Sequence, residues 1–398
     1  MAWSTRIVTV GTARPAELEA WARLGSRAAD PNPYFEPAVL VPASRHLDRR
    51  GGLRLLVVEE DGDWRTVLPF EPTDERRPLR GRTSTAGPLL GFVSPCGNPL
   101  VHEDDAAASV DRLVDALLRR GRELGHLVDL ARLDVDAWTG RALLAALDRR
   151  GVPRRTWDEM SRGALATTGE PVDVLAELSR SRRRGLLRGR RSLERELGAA
   201  LEPTWATDAG AVERFLALQA AGWKGHATEG GRALLLSDAT ASWFRDLARL
   251  AGPDLRVLEV RSGATLVYSG VAIVRGDRAF FVLDAFDERS ARWSPGSWGQ
   301  VLMMSELTRE GYSLDSCTDP HEHPVTTGLY PHRRALRSVT CAVGTRAERM
   351  LFAVAGRALV ARRAVVDRSR RLGSRVSAAL HAVVLPVLSE APCVVVLV

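Results

Sequence analysis

At 398 residues the chain is too long for one ordinary core and sets the expectation of two domains. A hydrophobic content of 45% with 26% charged residues excludes a low-complexity or fibrous chain, and four scattered cysteines, Cys96, Cys317, Cys341 and Cys393, suggest neither a disulfide framework nor a paired zinc site. The formal charge of +7 favours acidic partners such as phosphates, nucleotides, nucleic acid or an anionic membrane surface, without choosing among them.

The first element is a strand within Met1 to Gly11. It shows no basic n-region followed by an apolar run, so a cytoplasmic location is expected. A helix follows over Pro15 to Ala29. From Leu53 the chain reads LRLLVVEEDGDWRTVLPF, two apolar runs about a Gly-containing turn, which is a β-hairpin. A helix then enters a short strand through the stretch ending at Asp134. Val172 to Gly198 reads as one helix, with leucines on one face and arginines on the other.

A helix over Asp208 to Trp223 matches the one over Pro15 to Ala29, and from Leu255 the sequence LRVLEVRSGATLVYSGVA repeats the hairpin pattern. Ser294-Pro295-Gly296-Ser297 precedes a helix from Trp298 to Arg309, which leads through a Gly into the strand carrying Asp315. Hairpin, helix and strand therefore occur twice in the same order. That echo predicts an α/β (α+β) fold of tandem duplicated lobes, each a mixed, mostly antiparallel sheet flanked by helices. The expected organisation is an N-terminal lobe over 1–170, a basic inter-lobe helix over 171–199, a C-terminal lobe over 200–344 and a basic amphipathic tail over 345–398. The tract from Ala378 to Val398 is apolar but broken by His381, Pro386, Glu390 and Pro392, short of the roughly 20 apolar residues a spanning helix needs.

Lys224 is the only lysine, a bias expected of a high-GC genome. Where arginine replaces lysine wherever charge alone matters, the retained ammonium becomes a candidate. His321 and His323 have the unperturbed pKa best suited to a general base, and Asp284, Asp287, Glu288, Asp315, Asp319 and Glu322 cluster with them near two strand ends. Cys317, His321, His323 and His332 match no standard zinc spacing, so no metal is expected.

Three stretches, LSRSRRRGLLRGRRSLE from Leu178, FLALQAAGWKG from Phe215 and DAFDERSARWSPGSWGQVLMMSEL from Asp284, resemble the GCN5-related N-acetyltransferase (GNAT) superfamily. The resemblance is to its CelD-like, BioF2-like branch, which is related to the FemABX aminoacyltransferases. It covers Val172 to Val343; the first lobe is similar only in architecture. The family's closing Asp, Gly-containing turn and Tyr-Lys pair is here Asp315, then SCTDPHEHPVTTGLYPHRR, with Tyr330 and no following lysine.

The resemblance implies direct acyl transfer from acetyl-CoA or another acyl-CoA to an amine of a sugar, a cell-envelope precursor or a small metabolite. It places a pyrophosphate at the helix start of Ser294, Gly296, Ser297 and Trp298, with Arg289 and Arg292 as phosphate partners. Asp284, Asp315, His321 and His323 are base candidates, Cys317 and Tyr330 proton donors, and Trp223, Lys224 and Asp287 acceptor contacts. Trp243, Trp293 and Trp298 are groove candidates. Two other readings stand beside it. One is a FemABX-like transferase using aminoacyl-tRNA. The other is a non-catalytic protein whose basic helix or tail binds nucleic acid or the inner face of the membrane. A peripheral membrane contact through the tail is compatible with the enzyme reading as well.

Overall fold

The computed structural model describes residues 2–73, 81–167 and 172–355. The expected lobe boundary at 170/171 and the tract from Ala378 to Val398 lie outside the described residues. Residues 2–344 belong to one compact unit. The tail forms a second, of which 345–355 are described. There a helix starts at Arg346, and Thr345 and Glu348 cap it reciprocally.

The first half runs β1 (Trp3–Thr9), α1 (Pro15–Ser26), α2 (Pro37–His46), β2 (Arg54–Glu60), β3 (Asp63–Pro72), β4 (Arg82–Ser84), α3 (Pro88–Val93), β5 (Leu100–Val101), α4 (Ala106–Arg119), β6 (Leu127–Asp134), α5 (Trp138–Arg149) and β7 (Arg154–Leu165). A short α6 (Val174–Glu177) and the long α7 (Arg180–Leu197) lead to β8 (Leu201–Ala206), α8 (Ala211–Ala221), α9 (Asp238–Ala251), β9 (Leu255–Ser262), β10 (Thr265–Arg275), β11 (Arg278–Phe286), α10 (Pro295–Arg309), β12 (Ser313–Asp315), α11 (Pro324–Thr327) and β13 (His332–Ala342).

The duplication is explicit. β2–β3 and β9–β10 are antiparallel hairpins, and β4–β6 and β11–β12 are parallel pairs reached through α4 and α10. The lobes' sheets are joined into one, in the order β1-β2-β3-β4-β6-β13-β7-β12-β11-β10-β9-β8, with β5 alongside β3. The final strands are exchanged: β7 pairs with β12 and β13, while β13 pairs with β6 and β7.

Both faces of the sheet are covered, so the strands bury alternate residues on opposite sides. Leu55 and Val57 of β2 join a core that spans both lobes and contains Trp21, Phe35, Phe215 and Phe244. Leu56 and Val58 face α4 and α5 on the other side. In the second lobe, Val257 belongs to the shared core, and Leu258 and Val260 pack with α7 and α10. The helix α10 lies close on β10 because Gly299 has no Cβ, which would stand 2.2 Å from the Tyr268 ring.

Two helix boundaries differ from the sequence expectation. The single helix over Val172 to Gly198 is broken at Leu178 and Ser179, because Asp173 and Ser179 each cap a separate helix with their side chains. The helix expected from Trp298 begins at Pro295, where proline's fixed φ suits a first turn. No helix among the described residues is long and apolar enough to cross a membrane.

Candidate functional site

A cleft of about 390 Å³ opens where β6 and β7 of the first lobe meet β11 of the second. The first lobe lines it with Tyr34, the end of α3 from Gly91 to Pro95, Arg132, Met160 and Arg162. The second adds Lys224, Arg232, Leu234, Trp243, Leu247, the β11 edge from Phe281 to Asp284, Gln300, and residues of the loop after β12. That edge is exposed to the cleft because β11 and β12 pair only over Arg278–Phe280 and then part. The Tyr34 hydroxyl crosses from the first lobe to donate to the Phe281 carbonyl, 2.8 Å away.

Beneath the cleft lies a buried ion network. Asp315 accepts from Arg162 at 2.6 Å and from the Cys317 backbone N–H at 2.9 Å, and Arg334 approaches it to 3.5 Å. Arg334 also donates to Asp134 at 2.6 Å. Burial alone would raise the Asp315 pKa, but the Arg162 and Arg334 charges outweigh it and hold the carboxyl below its ordinary value. Arg162 further donates to the Pro95 carbonyl at 2.6 Å and to the Cys96 sulfur at 3.1 Å.

The Cys96 thiol is shifted down by its hydrogen bond with Cys317, with Arg162 helping against burial, whereas burial pushes the Cys317 thiol well up. Cys96, Asp315 and Cys317 bring their ligand atoms within 4.8 Å of one another. Arg162 is bonded to two of the three, so a guanidinium already supplies the cation that this group faces.

Asp284 lies on the cleft wall. It accepts from Gln300 Nε2 at 2.9 Å, and the Lys224 ammonium is 3.9 Å from its carboxylate while donating to the Asp284 carbonyl at 3.0 Å. His323 and Cys317 line the same cleft. His321 is exposed, its backbone N–H donating to Asp319, and it does not line the cleft. Tyr330 is buried against Gly163, and burial raises its hydroxyl pKa far above the ordinary value. Of the tryptophans, Trp243 lines the cleft, while Trp223 is exposed outside it and Trp293 and Trp298 pack against α7.

The residues expected at the start of α10 form a separate patch. Ser294 takes a left-handed φ of 56° and caps nothing with its side chain, and Gly296 sits against the Phe286 ring. Ser297 is half-buried and Trp298 buried, with Arg190 5.1 Å over its ring. The exposed Arg289 is paired with the buried Asp287, and Arg292 with Glu196 at the surface. Sequence reasoning missed the first lobe's contributions, Arg132, Arg162 and Tyr34. No motif marks them, because each reaches the cleft only through pairing with residues far along the chain.

Residues 180–323 match a family described as "Acetyltransferase (GNAT) domain". A solved structure of FemX superposes with a TM-score of 0.53 at 9% identity, covering 80% of this chain and 95% of that one. A protein of unknown function from Bacteroides thetaiotaomicron VPI-5482 gives 0.54 at 11% identity, covering 85% and 99%. At such identities the likeness is one of fold. No curated protein matches the chain.

Proposed function

We propose that the acetyltransferase (GNAT) domain at residues 180–323 makes this chain a CoA-dependent N-acyltransferase whose acyl thioester and acceptor amine meet in the cleft between the lobes. The observation that carries the reading is the parting of β11 and β12 beyond Phe280, which opens the sheet onto a cleft containing a positioned carboxylate. In this reading the acceptor nitrogen attacks the thioester carbonyl, the tetrahedral intermediate collapses with loss of the C–S bond, and the thiolate leaves with a proton. Asp284 takes the proton from the attacking amine, held in place by Gln300. His323 is the second base candidate on the same wall. Cys317, whose burial keeps its thiol protonated, lines the cleft as the proton-donor candidate, whereas Tyr330 does not line it.

The donor's pyrophosphate suits the start of α10, where the amides of Gly296 and Ser297 point outward from a helix N-terminus. Arg289 and Arg292 are both exposed. Arg292 is held by a surface ion pair with Glu196, which contributes little, so a polyanion can draw it away, whereas Arg289 is held by the buried Asp287 and keeps its place beside the helix start. The acceptor would lie toward Lys224 and the first lobe's wall.

Calorimetric titration with acetyl-CoA tests this reading. Saturable binding is expected for wild type and Asp284→Asn and is lost in Ser297→Glu, which sets a negative charge against the pyrophosphate. In an amine screen Asp284→Asn should turn over about 10²-fold more slowly. Absence of acetyl-CoA binding to the wild type would overturn the reading and favour an aminoacyl-tRNA donor.

A further inference from the structure

Opposite Leu336 to Val339 of β13, β6 carries one residue too many. Leu133 pairs with Arg337 and Leu130 with Val339, so Ala131 and Arg132 together face Ser338 alone. Arg132 takes up the mismatch with a φ of 53°, a left-handed conformation that costs any residue with a Cβ free energy. The bulge is held by buried hydroxyls: Ser338 Oγ accepts from the Arg132 backbone N–H at 3.0 Å, and Thr85 Oγ1 accepts from that of Ala131 at 2.9 Å. Gly97 closes over it, since a Cβ there would stand 1.7 Å from the Ala131 carbonyl oxygen. Bulges re-aim side chains, and this one turns Arg132 into the wall of the cleft.

There the guanidinium is anchored but not neutralised. Its Nη1 donates to the carbonyls of Ser94, at 2.9 Å, and Gly91, at 3.4 Å. Among the described residues no carboxylate pairs with it, and nothing accepts from its Nε or Nη2. Asp319 and Asp158 act on it only through their fields, and the Cys96 sulfur is bonded to Arg162. Burial, and then the neighbouring Arg162 charge, lower its pKa. In the network beneath, Arg162 and Arg334 are matched by Asp315 and Asp134, which leaves Arg132 as the surplus cation. Arg232 lines the same cleft, exposed and without an ion-pair partner among the described residues.

A desolvated, strained and unpaired arginine is costly to keep and suits an anion with two adjacent oxygens, which its free edge can meet with two parallel hydrogen bonds. We propose that the cleft binds an anionic group, a carboxylate or a phosphate, on Arg132, so that the acceptor is an amine that also carries such a group. The identification of that ligand as the acceptor rests on the acyltransferase reading; the anion site itself does not.

Wild type and Arg132→Gly are compared in thermal unfolding and calorimetry with sodium phosphate, sodium acetate or sodium chloride at matched ionic strength. Glycine accepts the left-handed φ without strain, so the variant keeps its fold. Phosphate or acetate should raise the wild-type Tm above the chloride value, and Arg132→Gly should lose that rise, with Kd about tenfold higher or more. A rise with phosphate alone points to a phosphorylated acceptor, and one with acetate alone to a carboxylate. No rise in the wild type, or equal rises in both proteins, overturns the proposal. Equal rises would also follow if phosphate bound only at the start of α10. Should wild type fail to bind acetyl-CoA while the Arg132-dependent rise persists, the anion site stands and the acyltransferase reading falls.

Discussion

Asp315 is 1% exposed and Arg162 2%, and among the described residues they form the only nearly solvent-free ion pair. Removing one member of such a pair leaves an uncompensated charge, which typically costs 3–5 kcal/mol, whereas replacing both by apolar groups is often nearly neutral. Arg162→Met should therefore destabilise by about that amount, and Arg162→Met/Asp315→Leu by less than the sum of its single changes. Urea midpoints read the cycle, and additive singles would mean that the pair does not couple. The folded carboxyl lies below its ordinary value of 3.8, so its stabilisation is complete above that pH and drains as pH falls through the folded value. The cost of Arg162→Met should shrink in the same acid window. Asp315 was expected as a base candidate from its strand and the family pattern. Its fixed charge now favours a structural anchor, with Asp284 the freer carboxylate. Arg132 was illegible, since its exposure to the cleft follows from a bulge set by Ser338, 206 residues away.

At the scale of an element, α7 shows how much a helix's surroundings decide. Its leucine face can be read from sequence, but neither the break at Ser179 that starts it nor the contact that fixes its position can. Gly185 and Gly189 lie about one turn apart, and both cost helix propensity relative to alanine. A Cβ on Gly185 would meet nothing, whereas one on Gly189 would come within 2.7 Å of the Trp293 carbonyl oxygen. Gly185→Ala should then stabilise by about 0.5–1 kcal/mol, and Gly189→Ala should lose at least that gain by pushing α7 off the segment before α10. Thermal unfolding of the two variants tests this, and equal gains would show that the helix and that segment move apart freely. Because Arg292 and Glu196 bridge the same contact, Gly189→Ala is also expected to weaken acetyl-CoA binding if the pyrophosphate lies at the α10 start.

For the whole molecule the decisive feature is the exchange of final strands. β7 belongs by sequence to the first lobe and finds both partners, β12 and β13, in the second; β13 finds both of its partners, β6 and β7, in the first. Duplication was legible because hairpin, helix and strand repeat locally. The exchange was not, because strand pairing is non-local and either long strand would satisfy either edge by pattern alone. Each lobe made separately would leave its last strand without a partner and would bare the edge where the other's strand docks, a template for aggregation. The core running through Phe35, Phe244 and Phe280 would also be cut open. Residues 2–344 should consequently unfold in one transition, with calorimetric and van't Hoff enthalpies equal. Fragments 1–167 and 172–355 should be insoluble alone and recover a folded complex when expressed together. Two resolved transitions, or a soluble and cooperatively folded fragment 1–167, would show that the lobes are autonomous. The cleft would then be an interface between independent domains instead of a site built into one sheet.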